Sequence, residues 1–271
     1  MQTHHPPWLL RGQSNKSVQV LFAALPGRKA IIFIHGFSGD AMATWSDFSS
    51  LLPEHPKCSG SDLYFYGYDG LRADMYASAA LFRDFLDQLL ADTARFFEVN
   101  LPHAVRRETS FEYEELIIAA HSLGAVISRR ALLDATKEGS AWVAKTKLIL
   151  YAPAHRGARV TTLALEVASS FPFLKFFGAT ARFKSPLIDQ LQPNSPALKQ
   201  LLDDSITARE GGANSHLIAK KVVIAEYENI VENQTSGDDP APRAIAGASH
   251  VSVCKPSKIF LSPLTMLEDI L

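Results

Sequence analysis

The sequence has little of what builds covalent or metal-held scaffolds. It holds two cysteines in 271 residues, Cys58 and Cys254. So few, so far apart, make neither a disulfide framework nor a thiolate zinc site, and two free thiols in a reducing compartment is the simpler reading. H-E-x-x-H, G-x-x-x-x-G-K-[ST] and G-x-G-x-x-G are all missing, so no metal, nucleotide or dinucleotide cofactor is expected. An excess of one charge is missing too: 27 Lys and Arg face 28 Asp and Glu, a formal net charge of -1. A nucleic-acid partner usually demands a basic excess, and none is expected here. The pairs Arg106-Arg107 and Lys220-Lys221 read as solvated surface. No charge-free apolar run reaches the length of about 20 residues that spans a bilayer. The N-terminal stretch Met1-Gln2-Thr3-His4-His5-Pro6-Pro7-Trp8 lacks the basic start and apolar run of a signal peptide, and it reads as frayed. A soluble, cytoplasmic protein is the expectation. The sequence leaves its oligomeric state open.

What is present is alternation. Ala30-Ile31-Ile32-Phe33-Ile34 and Leu116-Ile117-Ile118-Ala119-Ala120 are continuous apolar runs of strand length. They suit strands buried on both faces of a parallel sheet. Val18–Ala24, Leu63–Tyr66, Lys147–Tyr151 and Val222–Ala225 read as further strands. Helical spacing of Phe82, Phe85, Leu86, Leu89 and Leu90 predicts one long helix from about Ala73 to Phe97. Glu98 to Glu115 reads as a polar connection. A second helix should run from Leu123 to about Lys137, and a last one over Ile259 to Leu271, with Pro263 marking the start of its main part. Strands alternating with helices predict an α/β fold in one domain, its mainly parallel sheet covered by helices on both faces and linked by right-handed crossovers.

The segment Ala120-His121-Ser122-Leu123-Gly124 lies between a predicted strand and a predicted helix. A sharp strand-to-helix turn there lifts a serine hydroxyl above the sheet edge, and small residues must flank it because neighbouring strands crowd the backbone. Gly124 meets this need on one side and Ala120 stands in for glycine on the other. The plainer alternative is a serine that caps the helix with its hydroxyl. Upstream, Ile34-His35-Gly36-Phe37 ends an earlier strand. Acyl transfer needs two backbone N–H groups aimed at an oxyanion, and Leu123 and Phe37 are the candidates. Leu123 opens a helix, whose dipole adds to its N–H.

These two segments together resemble the α/β-hydrolase superfamily. Within it, the chain is most similar to the intracellular serine esterase/lipase-like group that includes PGAP1-like and SERAC1-like proteins. The resemblance continues through Tyr151-Ala152-Pro153-Ala154-His155-Arg156-Gly157-Ala158, through Leu187 to Pro196, and through Ser249-His250-Val251-Ser252-Val253-Cys254-Lys255-Pro256. It covers about residues 30 to 260, with Ser249 where the last motif carries an acid. It implies an α/β-hydrolase fold with a small helical cap, and a nucleophilic serine at Ser122.

A serine at neutral pH needs an adjacent general base. Of nine histidines, His250 falls after the last predicted strand and before the last helix, in the order Ser, acid, His. His155, after a strand, is placed to line the pocket. In His35 and His121 the backbone is expected to matter more than the ring. The acid belongs in the loop after Val222–Ala225. There the resemblance points to Glu228, just before the apolar pair Ile230-Val231; Glu226 and Glu232 compete with it, and Asp238 and Asp239 lie further on. No metal enters this chemistry.

Arg159 to Ser205 breaks the alternation and is rich in Leu and Phe. At this place the resemblance implies a cap or lid; its phenylalanines either pack the cap onto the domain or line a pocket that selects hydrophobic acyl chains. The expected function is cleavage of a carboxylic ester, small-molecule or lipid, through an acyl-serine intermediate. A thioesterase or acyltransferase using the same site, and a non-catalytic interaction module suggested by Ala120, Ser249 and the unsettled acid, are the alternatives.

Overall fold

In the computed structural model the two apolar runs lie side by side at the centre of the sheet. The structure describes residues 4–10, 18–70, 74–100, 108, 110–159, 162, 186–210, 215–231 and 237–271. β3 (Lys29–Ile34) pairs in parallel with β5 (Glu115–His121), Ala30 opposite Leu116 and Ile34 opposite Ala120. From Ala30 to Ile34 and from Leu116 to Ala120 every residue is buried. A strand covered on both faces has no polar side to alternate with, which is why these runs are continuous.

The other strands are β1 (Trp8–Leu10), β2 (Val18–Leu21), β4 (Asp62–Tyr66), β6 (Thr146–Tyr151), β7 (Lys221–Tyr227) and β8 (Arg243–Ser249). All eight form one sheet in the order β1-β2-β4-β3-β5-β6-β7-β8. β3 to β8 run parallel; β1 and β2 are antiparallel at one edge. The helices are α1 (Phe48–Glu54), α2 (Met75–Ala91), α3 (Thr93–Asn100), α4 (Leu123–Lys137), α5 (Pro186–Gln190), α6 (Pro196–Glu210) and α7 (Ser262–Glu268). Pro263 sits in the first turn of α7, where its missing N–H costs nothing.

Three expectations are revised, and one strand had none. The long helix over 73–97 is two helices. Asp92 interrupts it, its carboxylate accepting the N–H of Arg95 at 2.9 Å and so capping α3. The connection from Glu98 to Glu115 is not wholly polar. Phe111 and Tyr113 are buried in an aromatic cluster with Phe97, and Tyr113 bonds Asp62 at 2.5 Å. The N-terminus is not frayed at His4, which is buried, bridges to Ala23 and meets the carbonyl of Ser61 at 2.7 Å. β8 had no signal in the sequence, because only Ile245 and Ala248 of its residues before Ser249 are buried.

Candidate active site

The parallel strands end together at one rim of the sheet, and Ser122 stands there between β5 and α4. Its backbone is left-handed, φ 52° and ψ -117°, a strained conformation for a residue with a side chain. Its amide is held by the carbonyl of Tyr151 at 2.9 Å. The turn demands close approach. A Cβ on Gly124 would lie 2.4 Å from the Ile34 carbonyl oxygen and 2.5 Å from that of His35; one on Gly36 would lie 2.9 Å from Cβ of Ser122. Glycine at 124 therefore lets α4 start directly over the end of β3. Ala120, opposite Ile34 at the end of β5, is buried. The Ser122 hydroxyl makes no capping bond to the helix. It faces His250 instead.

His250 follows β8, the strand at the far edge of the sheet. Its Nε2 lies 3.0 Å from Oγ of Ser122. Its Nδ1 lies 3.1 Å from each carboxylate oxygen of Glu228. Glu228 follows β7 directly, and its Oε1 also accepts the N–H groups of Ile230 at 3.0 Å and Val231 at 3.1 Å. Those amides belong to the apolar pair that marked Glu228 in the sequence. Burial pushes the Glu228 carboxyl up. The bond and charge of His250 and the two amides outweigh it, and hold it below the usual range. Glu228 is thus an anion aimed at His250 Nδ1; with Nδ1 donating to it, Nε2 is the nitrogen that faces the Ser122 hydroxyl.

Among the described residues the competing carboxylates are elsewhere or occupied. Glu226 is exposed and accepts the Gly247 amide at 2.8 Å. Asp238 points toward Arg209, 3.6 Å away, and Asp239 is paired with Arg129 at 2.6 Å. Glu232 lies outside the described residues.

Phe37 and Leu123 flank the serine. Phe37 follows Gly36, which abuts Ser122, and Leu123 is the first residue of α4. None of the turn and cap hydrogen bonds among the described residues uses either N–H. The loop carrying Phe37 is braced by His35, whose ring does more than the sequence suggested. Nδ1 donates to the Gly36 carbonyl at 2.8 Å, Nε2 accepts the Tyr68 amide at 3.2 Å, and the ring stacks on Tyr68 at 4.3 Å. His121 also acts through its ring, with Nε2 2.9 Å from the carbonyl oxygen of His250. Nothing in the spacing of the sequence announces that contact across 129 residues.

His155, expected to line the pocket, is sealed beneath α4 with Nε2 donating to the Ala125 carbonyl at 3.2 Å. Of the expected cap over Arg159 to Ser205, residues 160–161 and 163–185 lie outside the described residues, including the phenylalanines at 171, 173, 176 and 177. The roots of that segment are described. Ala158 donates to the Leu191 carbonyl at 2.8 Å and Arg159 to that of Ile230 at 2.8 Å. The segment thus leaves the core beside the loop that holds Glu228.

No protein-family model matches the sequence, and no curated protein is similar to it in sequence. The backbone, however, is similar to solved structures. The lipase BlEst2 of Bacillus licheniformis, in its mature form, matches with a TM-score of 0.52 and 13% identity over 97% of each chain. The chain has the α/β-hydrolase fold. The peroxisomal alpha-beta-hydrolase Lpx1 of Saccharomyces cerevisiae matches with a TM-score of 0.52 and 12% identity, over 98% of this chain and 83% of that one. Ser122 stands in the turn between the central strand β5 and α4. No helix among the described residues is long and apolar enough to cross a membrane.

Proposed function

We propose that this chain is a serine hydrolase that cleaves carboxylic esters, with Ser122 as nucleophile, His250 as general base and Glu228 as the acid that orients it. The observation that carries the reading is the unbroken line from Oγ of Ser122 through both ring nitrogens of His250 to the Glu228 carboxylate, at 3.0 and 3.1 Å. A structural serine in this turn would have used its hydroxyl as a cap.

The chemistry follows from the geometry. Oγ attacks the ester carbonyl carbon while its proton passes to Nε2 of His250. The carbonyl oxygen becomes an oxyanion, met by the N–H groups of Phe37 and Leu123. The intermediate collapses as His250 returns the proton to the departing alcohol oxygen, leaving an acyl group on Ser122. Water then attacks the acyl carbon, gives its proton to His250, and the free acid leaves as Oγ is reprotonated. Glu228 stabilises the transient imidazolium throughout and keeps its own charge. No metal or organic cofactor takes part in these steps.

Support for an ester substrate comes from the fold shared with a protein described as a lipase. The motif resemblance to the intracellular esterase/lipase-like group points the same way, and the greasy segment 159–205 favours an apolar acyl chain. Two buried, unpaired thiols, Cys58 and Cys254, favour a reducing, cytoplasmic setting. A fluorophosphonate probe tests the reading. The folded wild type is expected to label at Ser122 and Ser122→Ala not at all. Equal labelling of both, or none of the wild type, would reject it.

A further inference from the structure

We propose that His121 is a positioning residue of this site: its ring N–H ties the main chain of His250 to the central strand that carries Ser122. The inference rests on the reading of Ser122 and His250 given above and adds a residue that this reading does not require.

The need arises from where the base is attached. Ser122 follows β5, a strand paired on both sides, whereas His250 follows β8, which among the described residues is an edge strand paired only with β7. The β7–β8 ladder is itself irregular, with a register shift between Ala225 and Tyr227 just before Glu228. A base at such a margin has to be fixed by something other than the ladder. Its neighbours in the turn use other acceptors, since the amides of Ser252 and Val253 both bond the carbonyl of Ser249. No turn or cap amide among the described residues reaches the carbonyl of His250. Nε2 of His121 does, at 2.9 Å.

That bond settles the state of His121. A carbonyl only accepts, so Nε2 carries the proton and donates. Nδ1 is buried with no hydrogen-bond partner among the described residues. Burial first, and then the neighbouring His250, push the His121 ring well below the usual histidine range; Lys255 and His35 act in the same direction, against the bond to the His250 carbonyl. The ring is neutral, with one tautomer. Its centroid lies 5.0 Å from that of the His250 ring, so it adds no positive charge where the imidazolium forms. Ser122 is the next residue in the chain after His121. Nucleophile and base are therefore held to the same point of β5, one by the peptide bond and one by this hydrogen bond.

The test compares variants that differ in one donor. His121→Phe keeps a ring of similar size and removes the N–H; His121→Gln restores an N–H at the reach of Nε2. On a p-nitrophenyl ester, His121→Phe is expected to lower kcat roughly 10- to 100-fold, the scale of a small misplacement of catalytic groups, with KM within about twofold. His121→Gln should recover most of that loss. Should His121→Phe not fold, His121→Met, also without a donor, takes its place. Histidine-ring proton and nitrogen NMR gives a second readout that needs no turnover: the Nδ1–H of His250, bonded to Glu228, should be sharp in wild type and His121→Gln and exchange-broadened without the donor. An unchanged His250 signal in a folded donor-less variant would overturn the proposal. So would a kcat within about twofold of wild type, or a loss that His121→Gln does not repair. A wild type that neither turns over nor labels would reject the hydrolase reading alone, because the NMR comparison still decides the tether.

Discussion

Arg129 and Asp239 form an ion pair of 2.6 Å that is sealed from solvent, 1% of either side chain remaining exposed. Arg129 lies on α4, two turns below Ser122, and also donates to the Leu217 carbonyl at 3.1 Å; Asp239 accepts the Ala219 amide at 2.9 Å. The pair joins α4, the helix that follows Ser122, to the chain on either side of β7, the strand before Glu228. Asp239→Asn strands a buried guanidinium and is expected to cost about 3–5 kcal/mol of stability. Urea unfolding of the variant measures this. A loss below about 1 kcal/mol would mean that water replaces the carboxylate.

Glu228→Gln keeps the shape of the side chain and its contacts with the Ile230 and Val231 amides, but removes the charge facing His250. The expected fall in kcat is about 10²- to 10⁴-fold, with the upper figure that seen when a triad carboxylate is neutralised elsewhere. Steady-state kinetics on a p-nitrophenyl ester checks it. Activity within twofold of wild type would pass the acid role to another carboxylate.

Hydrolysis should fall on acidification with a single limb. An imidazole base stops working once protonated, and histidines change charge between about pH 5 and 8. Glu228, held below the usual carboxylate range by His250 and two amides against its burial, stays charged across that window and adds no second limb. A profile of kcat/KM that is flat from about pH 5 to 8 would exclude His250 as the base.

Stability has its own pH dependence through His155. Burial, aided by the charge of Arg129, pushes its ring down to about 3. In the unfolded chain the same ring takes up a proton near pH 6.5. Between these values the unfolded state binds more protons, so stability is lost as the pH falls, by up to about 1.4 kcal/mol per unit. His121 adds to the slope in the same direction. His155→Gln keeps a donor for the Ala125 carbonyl and removes the titration. Urea unfolding at pH 6.5 and pH 5 should show a smaller loss in the variant than in wild type. An equal loss in both would exclude His155 as a contributor.

Gly124→Ala tests the elbow. The new Cβ would meet two carbonyl oxygens at 2.4 and 2.5 Å, both backbone, which have no rotamer to escape into. A loss of roughly 1–3 kcal/mol and reduced fluorophosphonate labelling are expected. Ala120→Gly should leave labelling intact. A Gly124→Ala protein that labels at the wild-type rate would show that α4 can shift without moving Ser122.

The sequence by itself determined the centre of this protein. Strands buried on both faces must be apolar throughout, so Ala30–Ile34 and Leu116–Ala120 are visible as runs. The turn after the second needs a small residue at 124, so the position of Ser122 is visible as a motif. Local order along the chain also singled out His250 and a short run of carboxylates as candidates. Tertiary structure decided what depends on distant partners. β8 buries too few side chains to leave a pattern. Glu228 is separated from Glu226 only by which carboxylate finds a ring and two amides. Asp239 is neutralised by an arginine 110 residues away. His121, a neighbour of the serine in every reading of the motif, acts through a carbonyl that only the folded sheet brings to its ring, because a hydrogen bond between remote residues leaves no periodicity in the chain.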